Sequence, residues 1–260
     1  MIRNMIKIFL LLFAAGLLYF AVDIGRYFFY PDVSALKKGR PGKTAFMEYR
    51  EKTWQEKGIK RKIRAAWAPM GQISPFVVKA VLIAEDDKFW VHDGFDFEAM
   101  QKAVEKDIKK QAFHAGGSTI SQQLAKNLYL SPAKNPIRKL KEAILTWRIE
   151  RHLSKRRILE LYLNVAEWGD GLFGISAAAS RYYGKSAASL TAREAAELAA
   201  ALPNPKRYRP DGASRYAARR ADRIYAIMVR RGIVIEDYDR VISEPEENPQ
   251  TDIVPDLHLP

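Results

Sequence analysis

The sequence contains no cysteine at all. This absence excludes disulfide bridges, zinc sites built from thiolates and cysteine nucleophiles. The chain must therefore be stabilised by packing and hydrogen bonds, and any reaction that it catalyses must use carboxylates, hydroxyls, amides, imidazoles or cations.

Acidic residues are scarce relative to basic ones. The 260 residues include 43 Lys and Arg against 30 Asp and Glu, which gives a formal charge of +13. Such an excess favours an anionic partner, such as a nucleic acid, a phospholipid surface or a phosphorylated substrate.

Strand-like alternation of apolar and polar residues is also lacking, whereas helix signals recur. Helix starts are indicated at Ser74, Asp96, Asn135, Ser154, Thr191 and Ser214, each followed by apolar residues at helical spacing, and Gly184 and Gly232 indicate helix ends. The pattern predicts a mainly α fold.

An apolar run without charges extends over Ile8–Val22. Counted from Met5, it is long enough to span a bilayer, and Tyr27–Tyr30 follow as an aromatic belt at the interface would. The alternative is a cleaved signal peptide, but Ala21-Val22-Asp23 is a poor cleavage site. We therefore predict an uncleaved anchor with its interfacial segment over residues 1–30.

The remaining chain divides by composition. Residues 31–45 are rich in Pro, Gly and Lys and predict a linker, and residues 46–242 are expected to form one domain. Residues 243–260 contain five acidic residues and no Lys or Arg, which predicts a flexible acidic tail.

The stretch Gly116–Asn127 concentrates glycines, hydroxyls, amides and a lysine. Glycines followed by Ser118 and Thr119 would open a helix whose first N–H groups suit an anion such as a phosphate, and Lys126 could add a positive charge two turns later. The alternative is an ordinary Ser-capped helix with a solvated polar face.

Two further clusters carry carboxylates. Glu85 follows an apolar helix, where burial would raise its pKa and suit it to act as a base, unless it belongs to a solvated acidic turn. Arg138 and Glu142 are spaced to pair on one helix face; alternatively the cations there bind a phosphate and Glu142 holds a metal or one of the cations.

Taken in order, these motifs resemble those of the peptidoglycan glycosyltransferases, glycosyltransferase family 51, of the monofunctional Gram-negative type. The resemblance covers approximately Ile73 to Arg231. It is carried by Glu85-Asp86-Asp87-Lys88-Phe89 with His92 and Gly94, by Gly117–Leu124 with Lys126-Asn127, by Arg138–Glu142, by Arg157–Asn164, and by Gly174–Ala179 with Tyr182–Lys185.

The resemblance implies a lysozyme-like, mainly α domain with an N-terminal transmembrane helix. It implies an enzyme that polymerises lipid II into glycan strands, forming β-1,4 bonds with inversion and releasing undecaprenyl diphosphate. The enzyme would be single-pass in the bacterial inner membrane, with its catalytic domain in the periplasm. Only 28 residues follow Gly232, so no transpeptidase domain is expected.

The resemblance also assigns roles to residues. Glu85 matches the catalytic base, and Glu142 matches a second essential glutamate that helps to hold the pyrophosphate through a divalent metal, Mg²⁺ or Mn²⁺, or polarises the site. The expected substrate-binding residues are His92, Ser118, Thr119, Gln123, Lys126, Lys134, Arg138 and Asn164. Lys134 stands where an arginine is usual, so its phosphate contact would lack the bidentate fork.

Two other functions fit parts of the pattern. A lysozyme-like hydrolase would use Glu85 as a general acid, but it has no diphosphate to bind with its cations. A basic membrane-anchored binding module would have no need for Glu85 and Glu142.

The resemblance also implies the partners of the protein. We expect it to bind lipid II, lipid-linked glycan, the bilayer and proteins of cell-wall synthesis and division, and not to bind nucleic acid.

Overall fold

The computed structural model describes residues 2–110, 117–132, 135–210 and 214–234. Within them the chain forms ten α-helices, which confirms the mainly α prediction: α1 (Ile2–Gly25), α2 (Ala45–Glu56), α3 (Pro75–Glu85), α4 (Phe97–Lys110), α5 (Ile120–Tyr129), α6 (Pro136–His152), α7 (Lys155–Val165), α8 (Ile175–Tyr183), α9 (Ala192–Ala201) and α10 (Arg215–Arg230). The predicted tail 243–260, the last part of the predicted domain and Lys134 lie outside the described residues.

The predicted helix starts are confirmed by their caps. The side chains of Ser74, Asp96, Asn135, Ser154, Thr191 and Ser214 each accept a hydrogen bond from a backbone N–H in the first turn of the helix that follows. Helix α8 ends at Gly184, whose left-handed conformation has a φ of 64°.

Three short strands, which the sequence did not reveal, form a small sheet in the order β1-β3-β2. They are β1 (Arg64–Ala65), β2 (Glu167–Gly169) and β3 (Leu172–Phe173); β1 runs parallel to β3, and β2 runs antiparallel to it. Gly171, between β2 and β3, has a φ of +74°, and a Cβ there would lie 2.1 Å from the Trp54 ring. The turn therefore requires glycine.

Helix α5 lies in the middle of the core, packed against α6 and α7. Its residues Ile120 and Leu124 are fully buried, and so are Leu145 of α6 and Leu159 of α7. On the other side, α3 packs against α9 and α10. This arrangement brings the end of α3, which carries Glu85, next to the polar face of α5.

Helix α1 has no buried residue and is long and apolar enough to cross a membrane, consistent with a single-pass anchor. Its end is held to the domain through α6. Arg148 donates hydrogen bonds to the carbonyl oxygens of Tyr27 (3.1 Å) and Phe29 (3.0 Å), and Lys141 pairs with Asp23 at 2.5 Å.

The segment 31–45, predicted as a linker, packs against the domain. Val33 and Leu36 are buried in the core. Arg157 donates hydrogen bonds to the carbonyl oxygens of Leu36 (2.8 Å) and Gly39 (2.6 Å). Buried apolar side chains and the hydrogen bonds from Arg157 therefore fix this segment together, despite its Pro, Gly and Lys content.

Candidate active site

Glu85 is the last residue of α3, and its side chain is only 11% exposed. Both of its carboxylate oxygens accept a hydrogen bond. Gln123 Nε2, from α5, lies 2.9 Å from Glu85 Oε2, and Arg220 Nη2, from α10, lies 3.0 Å from Oε1. Three separate helices therefore fix the position of this carboxylate.

Burial raises the pKa of Glu85 above its usual range. The hydrogen bond from Gln123 and the positive charges of Arg220 and Lys126 act in the opposite direction but do not cancel the effect. A carboxylate with a raised pKa is suited to act as a base, because it binds a proton more readily than an exposed glutamate.

The orientation of Gln123 is set by Tyr162, a buried residue of α7. The Tyr162 hydroxyl donates to Gln123 Oε1 at 3.2 Å, so the Nε2 group of the same amide faces Glu85. Burial raises the pKa of Tyr162 well above its usual value, which keeps the hydroxyl protonated and able to donate. In the sequence, Tyr162 belongs to the Arg157–Asn164 motif, but no role was assigned to it.

Arg220 is a site residue that the sequence did not predict. Besides Glu85 it binds the carbonyl oxygen of Ala84 at 2.8 Å. Its Nε is buried and is the one such side-chain nitrogen or oxygen without a hydrogen-bond partner in the described part of the chain. Arg220 lies in α10, a helix with many arginines, and no motif distinguishes it from its neighbours.

The start of α5 differs from the expected anion site. Thr119, not Ser118, caps the helix, and its side chain and that of Gln122 form a reciprocal capping box. The first helical N–H, of Ile120, donates to Asp86 Oδ2 at 2.8 Å. A carboxylate of the protein therefore accepts from the first N–H of α5, which favours the second of the two alternatives given above, a capped helix, with Thr119 as the cap in place of Ser118.

His92 belongs to the same network. Its Nε2 lies 2.8 Å from Asp86 Oδ1, and its Nδ1 accepts a hydrogen bond of 3.1 Å from the N–H of Gly94. The ring therefore carries its proton on Nε2 when it is neutral. Thr119 Oγ1 donates to the carbonyl oxygen of Gly94 at 2.7 Å, which closes the turn. Asp86 and His92 thus join the end of α3 to the start of α5.

Glu142 is buried in α6 between two cations from the preceding turn. Arg138 Nη1 lies 2.6 Å from Glu142 Oε2, as the predicted i, i+4 pair, and Lys139 Nζ pairs with Oε1. Lys139 Nζ also lies 3.4 Å from Ser118 Oγ.

Lys126, in α5, is close enough to both Glu85 and Glu142 to interact with their charges, and burial lowers the pKa of Lys126. The four predicted residues Ser118, Lys126, Arg138 and Glu142 are thereby brought together.

Asn164 lies away from this group of charges. Its side-chain amide exchanges two hydrogen bonds of 2.8 Å with the backbone of Ala68 and donates a third to Glu160. It thereby ties α7 to the segment that follows β1.

The acidic groups do not fit a resident divalent metal. In the part of the chain that the structure describes, no three His, Asp or Glu side chains cluster as metal ligands would. Both oxygens of Glu142 already bind cations, and a metal there would have to displace Arg138 and Lys139.

A cavity of about 280 Å³, which we call the catalytic cavity, is reached by this group of residues through Gln123, which binds Glu85, and through Lys126, which interacts with the charges of Glu85 and Glu142. Gln123, Lys126 and Tyr162 line one wall, and residues 202–206, which follow α9, line the other. A buried carboxylate connected in this way to a cavity that also presents cations is typical of enzymes that perform acid–base chemistry on anionic substrates.

Comparison with known proteins specifies this class. A family model described as Transglycosylase matches residues 51–229. A biosynthetic peptidoglycan transglycosylase of Nitrosospira multiformis is 55% identical over 168 residues, which are 65% of this chain and 73% of the relative. Two proteins of the same name are also similar. The one from Aromatoleum aromaticum is 53% identical over 73% of this chain and 82% of the relative, and the one from Methylobacillus flagellatus is 46% identical over 84% of this chain and 96% of the relative.

The chain belongs to the transglycosylase family. This membership confirms the resemblance seen in the sequence, and it makes the protein a glycosyltransferase enzyme.

Proposed function

We propose that this protein polymerises lipid II into the glycan strands of the cell wall, forming β-1,4 bonds with inversion and releasing undecaprenyl diphosphate. Family membership and the names of the relatives support a peptidoglycan transglycosylase acting on a lipid-linked glycan. The observation that carries the proposal is that Gln123 and Lys126 line one cavity, while Gln123 also binds the buried carboxylate of Glu85 and Lys126 interacts with the charges of both Glu85 and Glu142.

Glu85 is the proposed base. The 4-hydroxyl of the acceptor loses its proton to the Glu85 carboxylate as it attacks C1 of the donor sugar, so that the attacking oxygen approaches from the face opposite the leaving group. The raised pKa of Glu85 favours acceptance of this proton. Gln123 and Arg220 hold the carboxylate in position before the proton arrives.

The leaving diphosphate gains negative charge as the bond to C1 breaks. Lys126, Arg138 and Lys139 are the cations that we assign to stabilising it, with Ser118 as a neighbouring hydroxyl. Glu142 is buried and bonded to two of these cations. We therefore assign Glu142 as a positioning residue that holds Arg138 and Lys139 at the correct distance from the diphosphate.

We propose that three of the residues expected to bind substrate act indirectly. Thr119 and His92 fix the turn at Gly94 and the start of α5, and Asn164 fixes the segment at Ala68. Gln123 both orients Glu85 and lines the cavity, which leaves it available to contact a sugar. The phosphate contact of Lys134, which lies outside the described residues, stays a prediction from the resemblance.

The proposed location is the inner membrane, with the catalytic domain in the periplasm. Support comes from the exposed apolar helix α1 and from the charge of +13, which suits a diphosphate substrate at an anionic membrane surface. Contacts with proteins of cell-wall synthesis and division, and the absence of nucleic-acid binding, stay predictions.

The resemblance implies a divalent metal, and nothing tests that expectation, but our proposal does not include the metal. Because the described acidic groups do not fit such an ion, no step above passes through it. We expect turnover to persist in EDTA, since three side-chain cations already face the diphosphate. Complete loss of turnover in EDTA, restored by Mg²⁺ or Mn²⁺, would contradict this assignment.

The deciding experiment is polymerisation of lipid II by the full chain and by Glu85→Gln. We expect the variant to lose polymerisation by at least about 100-fold, as removal of a general base commonly does, with an unchanged melting temperature. Asp87→Asn is the matched control, because Asp87 is the second residue after Glu85, is exposed, and pairs only with Arg231 among the described residues.

Two outcomes would contradict the proposal. Near wild-type glycan synthesis by Glu85→Gln would show that Glu85 is not the base. Release of soluble fragments from glycan polymer, without consumption of lipid II, would instead identify a hydrolase that uses Glu85 as a general acid.

A further inference from the structure

A second and larger cavity, of about 910 Å³, lies beside the small sheet. Most of its polar lining is positively charged. The cations come from separate parts of the chain: Lys60, Arg61, Lys62 and Arg64 at or just before β1, Arg181 at the end of α8, and Lys206 and Arg209 after α9. We call it the basic cavity.

Most of these cations are not neutralised. Arg61 pairs with Asp170 across the cavity. Among the described residues, no acidic side chain pairs with Lys62, Arg64 or Arg181, which are all exposed. Several like charges around one concave surface repel one another and focus a positive potential, so the cavity is suited to an anionic ligand.

The walls of the basic cavity are fixed by the fold. The ring of Trp54 is buried against Gly171, and the hydroxyl of Tyr182 donates to the carbonyl oxygen of Trp168 at 3.3 Å. Beneath the sheet, Arg50 and Glu167 form a buried, bidentate ion pair. The cavity is therefore largely formed before any ligand binds.

The basic cavity adjoins the catalytic cavity, because Pro205 and Lys206 line both. A chain molecule that lies in the catalytic cavity and continues past these two residues enters the basic cavity. A ligand that is both elongated and anionic fits the two cavities together.

We propose that the basic cavity binds the carboxylate groups of the peptides that a peptidoglycan strand carries. This inference rests on the proposed function, which places the strand in the catalytic cavity. A single phosphate would fill little of 910 Å³ and would contact only a few of the cations. Carboxylates that recur along a strand can engage cations on several sides of the cavity at once.

The test compares two forms of lipid II, one with free peptide carboxylates and one in which they are amidated. The test variant is Lys62→Ala/Arg181→Ala. Its matched control is Arg215→Ala/Arg219→Ala, which removes the same charge from exposed positions of α10 that line neither cavity.

We expect the test variant to lose roughly five- to tenfold in kcat/KM on the native substrate, as expected for two exposed ionic contacts, and little on the amidated one. The control should resemble the wild type on both substrates. Equal turnover of both substrates by the wild-type enzyme would overturn the inference. So would an equal loss on both by the test variant, since such a loss indicates damage to catalysis or folding.

A binding measurement separates this inference from the proposed function. Soluble peptide-bearing disaccharide fragments are titrated onto the full chain and onto the two double variants. Weaker binding by the test variant alone supports the inference even if the wild type fails to polymerise lipid II. Equal binding by all three proteins, or binding that is unchanged when the peptides are amidated, overturns it.

Discussion

Arg220 and Glu85 form an ion pair of 3.0 Å across 135 residues of sequence, between the last described helix and the end of α3. This pair connects the proposed base to a part of the chain that contains none of the recognised motifs. Because Arg220 also binds the carbonyl oxygen of Ala84, it fixes both the main chain and the side chain at this point.

Removal of Arg220 should shift the acidic limb of the pH–rate profile to higher pH. Burial already raises the pKa of Glu85, and the Arg220 charge opposes this effect. Without that charge the carboxylate is protonated at a higher pH, and the base is therefore lost earlier as the pH falls. We expect a shift of about 1 pH unit for Arg220→Ala in kcat/KM, measured with lipid II.

Arg219→Ala is the control for this prediction, because Arg219 is exposed and precedes Arg220 on the same helix. Arg220→Lys retains the charge and should recover much of the wild-type profile even if Arg220→Ala is less stable. An acidic limb that stays unchanged in Arg220→Ala would show that this pair does not influence the base.

Tyr162→Phe should lower kcat while the protein stays folded. The ring keeps its buried packing, but Gln123 loses the hydroxyl that orients its amide toward Glu85. We expect a loss of about tenfold in kcat, the effect of about 1.4 kcal/mol in the transition state. Tyr183→Phe is the control, since the Tyr183 hydroxyl binds Glu197 at 2.8 Å, outside the catalytic cavity. Equal losses in both variants would contradict the role given to Tyr162.

Glu142→Gln should reduce both stability and turnover. The substitution leaves Arg138 and Lys139 without the carboxylate that neutralises and positions them. We expect the free energy of unfolding to fall by about 2–3 kcal/mol, measured by urea denaturation. We also expect KM for lipid II to rise, because the cations no longer converge on the diphosphate. An unchanged KM would contradict the positioning role.

Asp86→Asn and Asp87→Asn should differ in stability although they are adjacent. Asp86 is buried and bonded to both His92 and the first N–H of α5, so its loss should cost about 2–3 kcal/mol of unfolding free energy. Asp87 is exposed and its pair with Arg231 should contribute less than about 1 kcal/mol. Equal melting temperatures for the two variants would contradict the structural role of Asp86.

Local sequence patterns predicted the helices well because their signals lie within a few residues. Ser74 before Pro75 and Thr191 three residues before Glu194 each satisfy backbone groups of the helix that they start. The three strands have only two or three residues each, too few for an alternating pattern to emerge. Their pairing depends on contacts between β1 and β3, which are more than 100 residues apart.

The site was predictable only where its chemistry coincided with a motif. Glu85, Gln123, Lys126 and Glu142 were identified in this way, whereas Arg220 and Tyr162 act through contacts made by folding. The two alternatives for the helix start at Thr119 stayed open for a similar reason. The sequence showed donors suited to an anion, but not that Asp86, 34 residues before Ile120, would accept from the Ile120 N–H.

Helix α6 faces two environments along its length. Arg138, Lys139 and Glu142 belong to the proposed diphosphate site, while Lys141 and Arg148 hold the end of α1. If α1 lies in the bilayer, we expect a change in its tilt to act on α6 and so on the side chains of the proposed diphosphate site. The thickness of the surrounding membrane would then be a physical variable of the site, and we expect lipid composition to affect turnover even when the substrate is unchanged.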